Sequence, residues 1–329
     1  MKLITSIFLF FLFSCTKEKL ITNLSFYHWK TDFNLSKSQN ETLTKLGVKK
    51  IYVKYFDIKY INSKAVPIAE VNWKTIPQQT IVPVVYITTS VFSNLDSTKI
   101  IDLAKHTAIK INTLHPQQGF TEIQFDCDWT PSVKNKYFYF LTEIKTHFEN
   151  IIISSTLRLY QYKYPKTAGV PPVDKCTLMY YNMGELYKIN EPNSILNNKI
   201  GKQYLGFNEY PKPIDIALPN FSWALVFRNS KFEKITTHFS KDNYKNEFLF
   251  EHDTLNKYWI IKDTVINNYY YRYGDNIRFE SPSEIELKKA ITLLTPEINQ
   301  TETSIVFYDL NTNITQDYEK INSIYNAFK

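Results

Sequence analysis

Phosphate-binding glycine loops are absent from this sequence. The chain of 329 residues contains 7 glycines, and none of them forms the Gly-x-Gly-x-x-Gly or Walker pattern with which nucleotide-binding folds hold phosphate groups. This absence disfavours the open, doubly wound nucleotide-binding folds. The sequence gives no sign of any other cofactor either, and we predict none.

Metal-ligand spacings and basic stripes are also missing. The 39 Lys and Arg residues are scattered singly among Tyr, Asn and Glu, which disfavours nucleic acid as a partner. With 3 cysteines, nothing in the spacing demands a disulfide. Asp126 and Asp128 could share a hard cation, but we predict no metal site, because no ligand-type spacing occurs among His28, His106, His115, His147, His238 and His252.

The first residues carry a signal for export. Lys2 precedes an apolar run over residues 3–13, which is too short to span a bilayer but has the length of a signal-peptide core. Residues 12–15 read Leu-Phe-Ser-Cys, which resembles the bacterial lipobox, whose cysteine receives a diacylglycerol group. The alternative is a buried structural cysteine.

We therefore predict a lipoprotein signal peptide over 1–14, lipidation at Cys15 and a linker over 15–22. The chain is then tethered to a membrane of the bacterial cell envelope by its lipid rather than by a spanning helix. Thr16 stands where an Asp favours inner-membrane retention in proteobacterial lipoproteins. The resemblance thus implies the outer membrane, on its periplasmic or surface face.

Strand-like and helix-like segments alternate through the first half of the chain, and such alternation predicts a parallel sheet covered by helices. Nine strand-like segments give about eight core strands, which favours a (β/α)8 barrel over residues 23–329. The predicted strands cover 24–29, 48–58, 80–88, 122–129, 151–156, 176–182, 214–218, 221–227 and 303–310. Residues 236–280 alternate polar and aromatic residues with few helix formers, and we interpret them as a β-rich insertion.

Residues 122–129 form an acidic strand, Glu-Ile-Gln-Phe-Asp-Cys-Asp-Trp. Side chains alternate along a strand, so Ile123, Phe125 and Cys127 share one face. The opposite face carries Gln124, Asp126 and Asp128. Such a face needs a polar destination, which in a barrel enzyme is the mouth at the carboxyl ends of the strands. The alternative is an edge strand whose polar face is in contact with water.

Other strand tips contribute polar residues to the same predicted mouth. A mixture of carboxylates, amides, a phenol and cations is typical of sites that recognise sugar hydroxyl groups and cleave glycosidic bonds. The substrate-binding candidates are Lys54, Asp57, Gln124, Trp129, Arg158, Asn182 and Trp223, and the catalytic candidates are Asp126, Asp128 and Tyr181.

Two short motifs resemble glycoside hydrolase family 18, the chitinase-like barrels. The family's fourth strand carries Asp-x-x-Asp-x-Asp-x-Glu, and residues 121–128 read Thr-Glu-Ile-Gln-Phe-Asp-Cys-Asp. The family's sixth strand carries Met-x-Tyr-Asp, and residues 179–182 read Met-Tyr-Tyr-Asn. The resemblance places Asp128 at the acid's position, Asp126 as its carboxylate neighbour and Tyr181 against the sugar's acetamido group. The sequence also departs from the family's pattern. Asp128 stands where the family has a Glu, and Gln124 and Asn182 each stand where it has an Asp.

Residues 125–130, 178–184 and 221–228 also resemble a family of bacterial barrel lipoproteins without established activity. Two functional hypotheses follow. The first is an exported, lipid-anchored glycan hydrolase with Asp128 as acid, or with Asp126 and Asp128 as two neighbouring carboxyls whose pKa values are pushed apart. The second is a non-catalytic carbohydrate-binding or surface-assembly protein that uses aromatic rings for sugar stacking.

Overall fold

The computed structural model describes residues 20–117, 119–206, 210–237, 246, 249–254, 256–310 and 313–328. The predicted signal peptide and the predicted lipidation site at Cys15 lie outside these ranges. Across the described ranges, no helix is both long enough and apolar enough to cross a membrane.

Strands and helices alternate through the first half of the chain, as predicted. The strands are β1 (Ile21–His28), β2 (Asp32–Phe33), β3 (Lys50–Ile61), β4 (Lys64–Ile68), β5 (Asn72–Trp73), β6 (Thr80–Ile87), β7 (Glu122–Asp126), β8 (Ile152–Arg158), β9 (Lys175–Met179) and β10 (Ile214–Pro219). Further strands are β11 (Trp223–Arg228), β12 (Lys231–Thr236), β13 (Phe250–Thr254), β14 (Lys257–Ile260), β15 (Thr264–Ile266), β16 (Tyr269–Tyr271), β17 (Asn276–Glu280) and β18 (Glu302–Tyr308). The helices are α1 (Lys37–Lys45), α2 (Thr89–Asn94), α3 (Ser97–Leu114), α4 (Lys134–Lys145), α5 (Leu159–Lys163), α6 (Pro165–Ala168), α7 (Asn198–Gly201), α8 (Glu284–Leu294) and α9 (Tyr318–Asn326).

Eight parallel strands close into a barrel in the order β1-β3-β6-β7-β8-β9-β10-β18. Closure is complete because β1 pairs in parallel with both β3 and β18. The main hydrophobic core lies between the outer faces of these strands and the surrounding helices. The predicted (β/α)8 barrel is therefore confirmed, and the acidic strand is a central strand rather than an edge strand, since β7 pairs with β6 and β8.

Local sequence signals explain where the helices begin. The Ser36 hydroxyl accepts a hydrogen bond from the Gln39 backbone N–H, and the Gln39 side chain bonds back to Ser36, which forms a capping box at the start of α1. Asp96 and Ser283 cap α3 and α8 in the same way through one hydrogen bond each. Gly47 follows α1 with φ of 70°, a conformation that glycine adopts without strain.

One predicted barrel strand is wrong. Residues 221–227 do not join the barrel, because β11 pairs in antiparallel fashion with β12 and β17 in a separate five-stranded sheet of order β12-β11-β17-β14-β13. The added sheet thus begins before the predicted insertion 236–280. Pro219 and Asn220 separate it from β10, and both β10 and β11 are apolar segments of barrel-strand length, so the sequence pattern could not tell them apart.

The added sheet is anchored by a buried ion pair. Arg278 and Glu280 on β17 are both fully buried, with 2.7 Å between the Arg278 Nε and a Glu280 oxygen. Arg278 also donates to the backbone carbonyl groups of Lys188 and Leu186, in the loop that follows β9. The Trp223 indole N–H donates to Glu280 at 2.7 Å. These bonds hold the loop after β9 against the added sheet.

Candidate functional site

A cleft of about 680 Å³ opens at the carboxyl ends of the barrel strands. Six of the predicted site residues line it, namely Asp126, Asp128, Trp129, Arg158, Tyr181 and Asn182. Its other described lining includes Tyr27, Trp29, Tyr86, Thr156, Tyr160, Gln161, Tyr204 and Tyr308. The cleft therefore combines two carboxylates with an aromatic lining, on the face of the barrel where enzymes of this architecture carry their active sites.

Asp126 lies at the floor of the cleft, at the end of β7, and is 8% exposed. The Thr156 hydroxyl, on neighbouring β8, donates to its carboxyl at 2.6 Å. Burial raises the pKa of Asp126, the Thr156 hydrogen bond and Arg158 lower it, and the nearby Asp128 and Asp57 raise it, so that the pKa is about 7. At neutral pH, Asp126 is thus a carboxyl group that both holds and releases a proton.

Asp128 follows β7 and lies nearer to solvent than Asp126. Its carboxylate pairs with the Arg158 guanidinium at 3.2 Å, and the two side chains are 41% and 51% exposed respectively. The buried Gln161 amide connects the two chain segments, since its carbonyl accepts from the Arg158 backbone N–H at 2.8 Å and its NH2 donates to the Trp129 carbonyl at 2.9 Å. Gln161 thereby fixes the segment that carries Asp128 relative to the one that carries Arg158.

Tyr181 and Asn182 lie just beyond the end of β9, after Tyr180. The Tyr181 ring stacks on Tyr308, with centroids 5.5 Å apart. Burial raises the pKa of Tyr181 well above its usual value, so its hydroxyl remains a hydrogen-bond donor over the neutral range. Asn182 has φ of 54°, in the left-handed region that Asn tolerates better than most residues, and its N–H donates to the Ile195 carbonyl at 2.7 Å.

Gln124 does not reach the cleft. It is fully buried inside the barrel, where its carbonyl accepts from the Tyr27 hydroxyl at 2.5 Å and its NH2 donates to the Thr177 hydroxyl at 2.9 Å. Both ends of the amide are therefore occupied by protein groups one layer below the cleft. Gln124 therefore lies below the floor of the cleft, where it holds the hydroxyl of Tyr27.

Three further candidates lie outside the described lining of the cleft. The Lys54 ammonium pairs with Asp57 at 3.0 Å and lies 5.8 Å from the centroid of the Trp29 ring, which does line the cleft. Lys54 and Asp57 thus flank the site. Trp223 donates a hydrogen bond to Glu280 of the added sheet.

Trp129 lines the cleft but is 3% exposed. Its indole N–H donates to the Ala168 carbonyl, so the ring is packed in the protein and is not available to stack on a ligand.

Four residues that line the cleft were not predicted as site residues, namely Tyr27, Tyr86, Thr156 and Tyr308. Each lies at or near the carboxyl end of a barrel strand, on β1, β6, β8 and β18 respectively. The carboxyl ends of all eight barrel strands meet at the mouth, including those without charged residues. This signal predicts all four as site residues. Among the described residues, no group of three His, Cys, Asp or Glu side chains is arranged to hold a metal ion.

Both cysteines in the described ranges are buried and free. Cys127 and Cys176 form no disulfide. Cys127 points to the apolar side of β7, where it belongs to the main core. Burial, with Asp126 and Asp128 nearby, raises the pKa of Cys127 well above its usual value, so this thiol is a small apolar group rather than a nucleophile.

Comparisons with known proteins agree with this architecture. No family model and no curated protein sequence matches the chain. Among solved structures, the spore cortex-lytic enzyme SleL of Bacillus cereus superposes with a TM-score of 0.57 at 14% identity, covering 94% of this chain and 75% of SleL. A chitinase from Chromobacterium violaceum superposes with a TM-score of 0.51 at 10% identity, covering 92% of this chain and 98% of the chitinase.

A third similar structure is a glycoside hydrolase family 18 N-acetylglucosaminidase from Paenibacillus barengoltzii. It superposes with a TM-score of 0.50 at 11% identity, over 94% of this chain and all of the other. At such identities the likeness establishes architecture alone. The chain therefore has the closed (β/α)8 fold of the chitinase-like proteins of glycoside hydrolase family 18, to which it is remotely similar.

Proposed function

We propose that the cleft binds a glycan containing acetamido sugars and hydrolyses its glycosidic bonds. This proposal rests on the pair of carboxyls in an aromatic cleft, with Asp126 at the floor, its pKa raised to about 7, and Asp128 nearer to solvent. Cleavage of a glycosidic bond requires a proton on the departing oxygen, and a carboxyl with a pKa near the working pH is best suited to deliver it.

Asp126 and Asp128 would have different roles because they lie at different depths in the cleft. In the free protein the proton resides on the buried Asp126, while Asp128 occupies the acid's position in the family resemblance and lies nearer to the substrate. In a substrate-assisted reaction the sugar's own acetamide oxygen would attack the anomeric carbon as the bond to the leaving oxygen breaks, and the leaving oxygen would take the proton held by the carboxyl pair through Asp128. Water would then open the cyclic intermediate and return a proton to the pair. Tyr181, held against Tyr308, keeps its hydroxyl proton and would donate a hydrogen bond to that acetamide.

Asp128→Asn and Asp126→Asn are each expected to lower kcat by about a hundredfold or more, because each removes a proton-transferring group. Rates are measured on chromogenic glycosides of acetamido sugars, with plain-sugar glycosides as the control for the acetamide's role. In the wild type, kcat/KM is expected to fall as the pH rises through about 7, since Asp126 of the free protein then loses its proton. Activity that survives Asp128→Asn would remove Asp128 from the acid's role.

A glycan-binding protein without catalysis is the second candidate. Two observations favour it: Asp128 is one methylene shorter than the Glu of the family motif, and Arg158 engages its carboxylate at 3.2 Å. In addition, Gln124 replaces a carboxylate of the motif and is occupied by Tyr27 and Thr177. Measurable oligosaccharide binding without turnover by the wild-type protein would favour this candidate over the hydrolase.

We also propose that the protein is exported and anchored to the outer membrane through Cys15, on the strength of the lipobox-like residues 12–15. Cys15→Ser removes the thiol that would accept the lipid. The wild type is expected to incorporate labelled palmitate and the variant to incorporate none, because the lipid is attached through that thiol. Equal incorporation by wild type and variant, or none by either, would contradict the anchor.

A further inference from the structure

One buried carboxylate of the added sheet is shared by two chain segments that lead to Tyr181. Glu280, the last residue of β17, is 1% exposed. One of its oxygens accepts from both the Ser194 hydroxyl at 2.5 Å and the Trp223 indole N–H at 2.7 Å. The other oxygen pairs with Arg278. Every contact of this carboxylate is therefore with the protein itself, and its role is to hold these groups in place.

The first of the two segments lies against the chain that leaves Tyr181. The Asn182 N–H donates to the Ile195 carbonyl at 2.7 Å, and the Gly184 N–H donates to the Ser194 carbonyl at 3.1 Å. A methyl group on Gly184 would lie 2.7 Å from the Cα of Ser194, so glycine is needed for the two backbones to approach this closely. The position of Ser194 therefore determines the path of the chain directly after Tyr181.

The second segment reaches Tyr181 through aromatic rings. The Trp223 ring packs edge-on against Phe221, with centroids 5.3 Å apart. Phe221 packs edge-on against Tyr181 at 6.2 Å and against Tyr308 at 5.6 Å. Tyr181 and Tyr308 stack on one another and line the cleft, so Phe221 contacts both rings of this pair. The bond from Trp223 to Glu280 thus fixes the ring that packs against them.

We propose that Glu280 is a positioning residue for Tyr181. Glu280 lies outside the described lining of the cleft, and it acts through Ser194 on the backbone and through Trp223 on the rings. The inference rests on the proposed function, in which the Tyr181 hydroxyl donates to the sugar's acetamide. A displacement of about 1 Å at a reacting group costs up to about a hundredfold in rate. The added sheet is then part of the catalytic architecture, and Trp223 supports the site rather than binding substrate.

A variant that combines Ser194→Ala with Trp223→Phe removes both hydrogen bonds and leaves the buried ion pair of Glu280 in place. The environment of Tyr181 is followed by fluorine NMR, with fluorotyrosine incorporated at position 181, a measurement that requires no turnover. The double variant is expected to shift or broaden this resonance. Urea unfolding checks that the variant is folded, and Trp223→Phe alone is used if it is not. An unchanged resonance would overturn the inference and leave the proposed function intact.

The matched control combines Ser323→Ala with Trp259→Phe. Ser323 on α9 donates to Glu284 on α8 at 2.7 Å, so its loss also removes a hydrogen bond between a serine and a glutamate. Trp259 belongs to the added sheet and is 39% exposed. The control is expected to leave the fluorine resonance at position 181 unchanged. A shift equal to that of the test variant would mean that the resonance responds to any loss of stability, which would overturn the inference.

Activity on a chromogenic acetamido glycoside tests whether the effect passes through the Tyr181 hydroxyl, which Tyr181→Phe removes. The variant with Ser194→Ala and Trp223→Phe is expected to lower kcat/KM about tenfold or more when Tyr181 is present. In the Tyr181→Phe background it is expected to lower kcat/KM less than about twofold, because the supported hydroxyl is already gone. Equal losses in both backgrounds would overturn the inference. Absence of both turnover and oligosaccharide binding in the wild type would overturn the proposed function, and the fluorine resonance would still decide whether Glu280 positions the ring.

Discussion

Asp126→Asn is expected to stabilise the folded protein at alkaline pH, although it removes a member of the proposed catalytic pair. The pKa of Asp126 is raised from 3.8 to about 7, mainly by burial. Below about pH 4 the carboxyl is protonated in both the folded and the unfolded chain, so it carries no penalty there. Between about pH 4 and pH 7 the unfolded chain ionises first, and the stability of the fold falls as the pH rises.

Above about pH 7 the ionised carboxylate is buried in the folded protein, which costs on the order of 4 kcal/mol. Asn has nearly the same shape and can still accept the Thr156 bond, yet carries no charge. Urea unfolding of wild type and variant at about pH 4 and pH 8 is expected to show a gain at the higher pH larger by about 2–4 kcal/mol. Asp102→Asn, at an exposed position on α3, controls for the loss of one carboxylate. A gain independent of pH would contradict the raised pKa.

The alternation along β7 was predictable from the sequence, but the depth of its polar side chains was not. Ile123, Phe125 and Cys127 all belong to the main core outside the barrel, as the period of two requires. The polar face points inward, but a strand crosses the barrel from one end to the other, so its successive inward residues occupy successive layers. Of the inward residues on β7, Asp126 reaches the cleft and Gln124 lies below it.

A register shift explains the pairing of Lys54 with Asp57. Strict alternation would place residues 54 and 57 on opposite faces of β3. The pairing of β3 with β6 shifts between Lys54 and Phe56, and an extra residue at a bulge reverses the alternation beyond it. Phe56 then packs in the outer core, and Asp57 meets Lys54 at 3.0 Å. Nothing in the sequence of this strand marks the bulge.

The contact between Asp128 and Arg158 depends on chain segments beyond the strands. Asp128 lies beyond the end of β7 and Arg158 is the last residue of β8, so periodicity does not fix how the two side chains pair. Their placement depends instead on the Gln161 amide, which bonds to the Arg158 N–H and to the Trp129 carbonyl. A single glutamine on a short helix gives no pattern from which such a bridge can be predicted. The sequence could therefore indicate which residues meet at the mouth, but not how they pair.

Glu122→Ala is expected to destabilise the fold by about 3–5 kcal/mol, because it removes the buried carboxylate that Lys50 and Lys175 share and leaves their charges less compensated. Glu122 is fully buried at the amino end of β7, and its carboxylate accepts from Lys50 and Lys175 at 3.0 Å each. Lys175 also pairs with Asp215 at 2.7 Å. Burial alone would raise the pKa of Glu122, but Lys175 and Lys50 outweigh it, and the pKa is lowered.

The lowered pKa fixes the direction of the pH dependence. The stabilisation from ionised Glu122 is present above the pKa of the unfolded chain and is lost as the pH falls through the lower pKa of the folded state. Urea unfolding at neutral pH compares wild type with Glu122→Ala and with Glu122→Gln, which keeps the shape and removes only the charge. Glu70→Ala is the control, since Glu70 forms a partly exposed pair with Lys110 and is expected to cost less than about 1 kcal/mol. If Glu122→Ala were as mild as Glu70→Ala, the charged cluster at the amino end of the barrel would contribute nothing to its stability.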